Sequence, residues 1–128
     1  MKKNTLILST LILGLSLQLF ALMAPPQSLE TRVDAAQKIF VYQLESVGAE
    51  NGFKTAILVA TESMKGCEKG DKVKVCWTGF IENQGFIPKV GDTGIAILID
   101  KHKDAYWFRG DKVEPIAKKA EIQKLLQD

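Results

Sequence analysis

Two neighbouring segments with alternating side chains constrain the fold of this chain more than any other feature. Residues 53–64 read FKTAILVATESM and residues 72–78 read KVKVCWT, with Gly66 and Gly70 between them. Side chains of a β-strand point alternately to its two faces, so both segments predict strands, and the glycines predict the turn that joins them. In the second strand the inward positions are Val73, Val75 and Trp77, and the outward positions are Lys72, Lys74, Cys76 and Thr78.

Further segments extend this pattern into a small sheet. Residues 38–47, 93–100 and 106–110 carry β-branched, aromatic or continuous apolar side chains between glycine-rich turns, which is typical of short strands. A short helix is expected over residues 29–37, with Ser28 as its N-cap, and a second helix is possible after Pro115. The predicted fold is mainly β: a small antiparallel barrel of five or six strands with a short N-terminal helix and a possible C-terminal helix.

The N-terminus has the pattern of an export signal. Lys2 and Lys3 precede an apolar stretch from Leu6 to Met23, which predicts a secretory signal over residues 1–24 and a single barrel domain over residues 25–128. Ala21 is an alternative cleavage position to Ala24. An uncleaved membrane anchor is the other interpretation, since about twenty uncharged residues can span a bilayer. Either way, we expect the domain to be periplasmic or secreted.

The charge of the domain argues against nucleic acid as a partner. The whole chain has 17 basic and 15 acidic residues. Without Lys2 and Lys3 the basic residues number 15, equal to the acidic ones, so the exported part has no net charge. Because nucleic-acid binding depends on an excess of lysine and arginine, this balance disfavours it.

Cys67 and Cys76 are the only cysteines of the chain. In an oxidising compartment two nearby cysteines usually pair, so we predict a structural disulfide between them. The bridge requires either that the loop of residues 66–71 folds back over the outer face of the following strand, or that the hairpin begins later along the chain. A redox-active pair is an alternative, although such pairs usually have the closer C-x-x-C spacing. A zinc site would need four ligands, and the chain offers one histidine, His102.

The order of segments resembles a known family of exported barrels. These segments are VDAAQKIFVYQLESV (33–47), Lys65-Gly66 followed by KGDKVKV (69–75), VGDTGIAILI (90–99) and YWF (106–108). Together they resemble small exported bacterial barrels of the netrin and tissue-inhibitor (NTR-like) type, over roughly Val33 to Arg109. The resemblance implies an OB-like barrel of five strands. Eukaryotic inhibitors of that type engage a catalytic zinc through an N-terminal cysteine, which this chain lacks near its predicted mature N-terminus, so protease inhibition is not implied.

Three consecutive aromatic residues give the candidate binding site. If Tyr106 and Phe108 point inward, Trp107 points outward beside Arg109, and both residue types are frequent in interfaces. The alternative is that a terminal helix covers Trp107.

We therefore predict a noncatalytic exported module that binds a protein or cell-envelope component through Trp107 and Arg109. No cofactor, metal or nucleic acid is expected, and contact with a membrane is expected only if the N-terminal segment is uncleaved. A thiol-active envelope protein using Cys67 and Cys76 is the alternative function. A small hydrolase would have to use Asp100, His102 and Asp104, residues that also suit a solvated loop.

Overall fold

The computed structural model describes residues 27–127, so the predicted signal and its cleavage site lie outside the described residues. The helices are α1 (Leu29–Ala35), α2 (Gly79–Asn83) and α3 (Lys119–Gln127), with 3-10 turns at Gly110–Lys112 and Ile116–Lys118. The strands are β1 (Lys38–Glu50), β2 (Phe53–Lys65), β3 (Lys72–Trp77), β4 (Thr93–Leu98), β5 (Lys101–His102), β6 (Ala105–Trp107) and β7 (Val113–Glu114). Within this range no helix is long and apolar enough to cross a membrane.

The strands form one curled, half-barrel sheet with the order β5-β6-β3-β2-β1-β4-β7. The mainly β fold with helices at both ends is confirmed. The sheet has seven strands instead of five or six, because β5 and β7 are additional short strands of two residues each. It is also not wholly antiparallel, since β3 and β6 run parallel. The chain leaves β4, passes through Ile99 and Asp100 into β5, and then turns back to place β6 beside β3.

The long β1–β2 hairpin ends in a two-residue turn at Asn51-Gly52. Both residues have positive φ angles, 53° and 85°, which is the requirement of the type I′ turn that matches the twist of paired strands. The turn is shorter than the predicted loop of residues 48–52, because β1 continues to Glu50. Register shifts along β1 occur near Phe40, Tyr42 and Ser46, and such irregularities bend a strand and help the sheet curl.

The β2–β3 hairpin closes at Ala60, five residues before β2 ends at Lys65. Ala60 N donates to Asp71 O at 2.8 Å, and residues 61–65 of β2 continue past the hairpin to pair with β1 alone. Cys67 follows this extension, whereas Cys76 lies opposite Thr55 at the other end of the hairpin. From Thr55 to Lys65 the strand measures roughly 30 Å along its length, while bridged Cα atoms must approach within about 7 Å. Both cysteines are free, and the predicted disulfide is wrong.

The inner face of the curl holds the larger apolar core. The predicted inward residues Val73, Val75 and Trp77 are all buried. Aromatic rings fill the centre, where Phe108 packs edge-on against Tyr42 at 5.9 Å and against Phe86 at 5.3 Å between ring centroids. The other buried members are Phe40, Leu44, Ala56, Leu58, Ala60, Ala96, Leu98 and Tyr106.

A second apolar cluster lies where α1 and α3 cover the outer face of β1 and β4. Its buried members are Val33, Ala36, Ile39, Ile95, Ile97 and Ile122. The N-cap prediction for α1 is confirmed, since Thr31 N donates to Ser28 Oγ at 3.2 Å. The helix ends at Ala35, two residues earlier than predicted, because Gln37 N already donates to Leu98 O of the sheet at 2.8 Å.

Arg32 joins α1 to β7 and to the turn that precedes it. Its Nη2 lies 2.7 Å from Glu114 Oε2, with both side chains largely buried at 10% and 16% exposure. Its Nη1 donates to Asp111 O at 3.0 Å. Because a buried guanidinium must be paired, this contact fixes the helix relative to the chain beyond β6.

Candidate functional site

The register of three strands places Thr55, Cys76 and Trp107 side by side on the outer face of the sheet. Thr55 of β2 is the partner of Cys76 in β3, and Cys76 is the partner of Trp107 in β6. Partners in neighbouring strands point to the same face. The predicted alternation at the aromatic strand is confirmed, because Tyr106 and Phe108 are buried inside while Trp107 is half-buried outside. Within residues 27–127 neither terminal helix lies over it, since α1 and α3 both pack in the second cluster.

Three rings form a compact cluster on this outer face, which we call the aromatic face: Phe53, His102 and Trp107. The centroid of His102 lies 4.7 Å from that of Phe53 and 5.1 Å from that of Trp107, and Phe53 and Trp107 meet edge-on at 5.6 Å. Each ring comes from a different strand. Aromatic pairs of this kind contribute about 0.5–1.5 kcal/mol each beyond the area they bury. The cluster therefore holds Trp107 in one orientation with part of its ring open to solvent.

Lys74 links the two loops beside the aromatic face. Its Nζ lies 2.8 Å from Glu50 of the β1–β2 hairpin and 3.5 Å from Asp104 of the β5–β6 turn. The hydrogen bond that Lys74 donates to Glu50, followed by the negative charge of Asp104, raises the pKa of Lys74. Lys74 therefore remains charged, and the shallow depression between the loops has a neutralised rim. Ion pairs this exposed stabilise a fold weakly, so their main effect is to orient the loops.

Cys76 lies at the floor of this depression, which is also lined by Thr55, Phe53 and His102. Its position on the outer face is as predicted, yet the residue is only 2% exposed, because the neighbouring strands and rings cover it. Burial, followed by the negative charge of Asp104, raises the pKa of the thiol. Since the thiolate is the reactive form, Cys76 is a poor nucleophile at neutral pH.

A pocket of about 310 Å³ opens on the other side of Trp107, and we call it the Arg109 pocket. It is lined by Trp77, Thr78, Phe80, Ile81, Trp107 and Arg109. Phe80, on α2, is 66% exposed. Trp77 Nε1 donates to Glu82 Oε2 at 2.9 Å, which fixes α2 against the end of β3.

The two residues predicted as the binding site, Trp107 and Arg109, thus meet in one pocket. Sequence reasoning missed Phe80, because residues 79–92 contain several glycines and a proline and suggested only a loop. It also missed the contribution of His102, which packs as an aromatic ring. The sequence did hold a signal for Phe53, because the alternation of β2 places it on the same face as Thr55.

The residues of the weaker hypotheses are not brought together. Within residues 27–127 no hydrogen bond joins His102 to a carboxylate, and Asp104 instead faces Lys74. In the same part of the chain, no group of three or more histidine, cysteine or acidic side chains could hold a metal ion. Cys67 lies away from the aromatic face, where its carbonyl accepts a hydrogen bond from Ser63 Oγ.

Comparison of the chain with known proteins adds no functional assignment. No family model matches the sequence, and no curated protein matches it at a significant level. Any assignment of function must therefore come from the chain's own residues and their arrangement.

Proposed function

We propose that this chain is a noncatalytic exported module that binds a protein or cell-envelope component through the aromatic face and the adjoining Arg109 pocket. The observation that carries the proposal is the outward clustering of Phe53, His102 and Trp107, continued by the exposed ring of Phe80. A fold of this size can bury its large aromatic side chains inside. Exposed aromatic residues that adjoin an arginine are instead characteristic of binding surfaces.

The proposal extends to the type of barrel. If β4 and β5 count as one bent strand, the pairings β1–β2–β3, β1–β4, β5–β6 and parallel β3–β6 match the connectivity of an OB-like barrel of five strands. Such barrels bind ligands on the face of their second and third strands, between two flanking loops. The aromatic face occupies the corresponding position here. An NTR-like relationship agrees with this connectivity. Such a relationship would extend to the fold of the chain and not to protease inhibition.

Export is the part of the proposal that rests on the N-terminal pattern alone. Lys2, Lys3 and the apolar stretch that follows them support an extracytoplasmic location. The partner would then be an extracellular or periplasmic protein, or a component of the envelope. The balanced charge of the remaining chain supports a partner other than nucleic acid.

The thiol-active alternative has lost its main support. A dithiol mechanism needs two sulfurs that can meet, and Cys67 and Cys76 lie at different ends of the β2–β3 hairpin. The raised pKa of Cys76 further disfavours reaction at neutral pH. A thiol function would therefore have to depend on one cysteine and an external partner.

The proposal can be tested by capturing partners from the extracytoplasmic fraction of the native cell. Wild type, Trp107→Ala and the control Val90→Ala would be compared, since Val90 is also an exposed apolar residue, at 65% exposure, but lies in a different depression. We expect a partner, identified by mass spectrometry and rebound in purified form, to be lost with Trp107→Ala and retained with Val90→Ala. Equal recovery by both variants would contradict the assignment of this surface.

A further inference from the structure

The Arg109 pocket combines apolar walls with one cationic group. Phe80 and Ile81 of α2 line it together with Trp107, and Arg109 is its cationic group. A volume of about 310 Å³ is at the small end of ligand pockets, enough for one large side chain and a few polar atoms. The pocket therefore suits a single anchoring residue of a larger partner.

The two strongest polar groups of the pocket differ in how far they are already paired. The indole N–H of Trp77 already donates to Glu82. Arg109 is 47% exposed and approaches Asp111 only through Nε, at 3.4 Å. Within residues 27–127 its two terminal nitrogens donate no hydrogen bond, which leaves the outer edge of the guanidinium open. That edge matches a carboxylate, which can accept two parallel hydrogen bonds from it.

We propose that the Arg109 pocket recognises a peptide residue with a large apolar side chain and an adjacent carboxylate. The side chain would lie between Phe80 and Trp107, and the carboxylate would pair with Arg109. This inference rests on the proposed function, because it assigns a ligand chemistry to part of the same surface. It goes further by naming the two groups of the partner that the pocket binds, an apolar side chain and a carboxylate.

The lining of the pocket favours a peptide over other partners. A sugar needs several hydrogen-bonding groups around its ring, and the pocket offers mainly the Thr78 hydroxyl and Arg109. A negatively charged membrane surface would require a group of cations around Phe80, and Arg109 is the one cation among the described lining residues. Of the two carboxylates close by, Glu82 accepts a hydrogen bond from Trp77 and Asp111 lies 3.4 Å from Arg109 Nε. The terminal nitrogens of Arg109 can therefore pair with one carboxylate of a ligand, but they are too few for a charged surface.

Two parts of the pocket are held in place by contacts within the protein. Trp107 is held by Phe53 and His102, and the bond between Trp77 and Glu82 holds α2. Because fewer side chains must be ordered on binding, even a small ligand can bind measurably. This allows the inference to be tested with small probes.

The test follows the indole N–H signals of the two tryptophans by NMR, assigned with Trp77→Phe and Trp107→Phe variants. The probes are N-acetylphenylalanine, its amide, and N-acetylglycine. We expect N-acetylphenylalanine to shift the Trp107 signal and to bind roughly tenfold more tightly than the amide, the gain expected of a charged hydrogen bond. N-acetylglycine, which lacks the apolar group, is expected to cause no shift.

Variants separate the two features of the ligand. In Arg109→Gln we expect N-acetylphenylalanine to bind no more tightly than its amide. Lys103→Gln removes a cation from the β5–β6 turn instead, and we expect it to preserve the difference in affinity between acid and amide. Phe80→Ala should weaken the binding of both N-acetylphenylalanine and its amide.

Several results would overturn the inference. Equal binding of acid and amide by wild type would do so, as would an unchanged preference in Arg109→Gln or the absence of any indole shift. A concentration-dependent dimer that Phe80→Ala dissociates would assign the pocket to a second copy of the chain and overturn it as well. All of these outcomes are compatible with loss of the captured partner in Trp107→Ala, so the proposed function can survive when this inference fails.

Discussion

Gly66→Ala tests how closely the end of β2 packs on the chain that enters β1. Gly66 has a φ angle of +72°, and an added Cβ would overlap the carbonyl oxygen of Gln37 and lie 3.1 Å from its carbon. Carbon atoms attract one another at separations of about 3.5 Å or more, so the backbone of Gln37 must move. That movement disturbs the hydrogen bonds from Gln37 N to Leu98 O, at 2.8 Å, and from Lys38 Nζ to Gly66 O, at 2.9 Å.

Gly70→Ala provides the matched control. Gly70 also has a positive φ angle, +94°, but a Cβ there would meet nothing within 4 Å. Backbone strain alone destabilises each variant by about 1–2 kcal/mol. In Gly66→Ala the two disturbed hydrogen bonds add about 1 kcal/mol each, which makes about 3–4 kcal/mol in total.

Urea denaturation followed by tryptophan fluorescence measures the difference between the two variants. We expect Gly66→Ala to be less stable than Gly70→Ala by about 2 kcal/mol, or roughly 8–16 °C in melting temperature for a domain of this size. If the two variants unfold at the same urea concentration, the close packing of Gly66 on Gln37 is refuted.

Three further predictions concern the interior. Glu114→Ala leaves the charge of the buried Arg32 guanidinium without its carboxylate, so we expect the free energy of unfolding in urea to fall by about 3 kcal/mol. The double variant Arg32→Met, Glu114→Leu removes both charges and should recover most of that loss. A double variant as unstable as Glu114→Ala would contradict this. An alkylating reagent should label the half-exposed Cys67 in the native protein and Cys76 only after unfolding. A protein that is not labelled, and whose intact mass shows oxidised cysteines, would contradict the assignment of both thiols as free. Burial, followed by the charge of Asp92, raises the pKa of Tyr42 to about 12 from 10.0, so the folded state retains the proton longer and stability should fall as pH rises from 10 to 12. Tyr42→Phe should show a smaller fall over that range, and an identical fall would contradict the assignment.

Local patterns in the sequence predicted the parts of the fold that depend on strand period and turn chemistry. The inward positions Val73, Val75 and Trp77 followed from alternation, which any strand imposes on its own side chains. The outward direction of Trp107 followed for the same reason. Ser28 was recognisable as an N-cap because capping depends on the first turn alone.

Features that depend on pairing between distant segments could not be predicted in this way. The β2–β3 hairpin closes at Ala60 while β2 continues to Lys65 paired with β1, and this extension moves Cys67 away from Cys76. The parallel neighbours β3 and β6 are likewise a property of the whole sheet. His102 joins the aromatic face only because a bend after β4 carries it towards Phe53. In each case the residue's own surroundings in the sequence hold no signal of its partner.

The most direct test of the central claim, that the aromatic face is a binding surface, is the affinity of a purified partner for wild type and for Trp107→Ala. Isothermal titration calorimetry would measure both dissociation constants, after circular dichroism has shown that the variant folds. A central aromatic anchor contributes about 2 kcal/mol or more to binding, so we predict a dissociation constant at least roughly thirtyfold higher for the variant. A dissociation constant unchanged by Trp107→Ala would contradict the account.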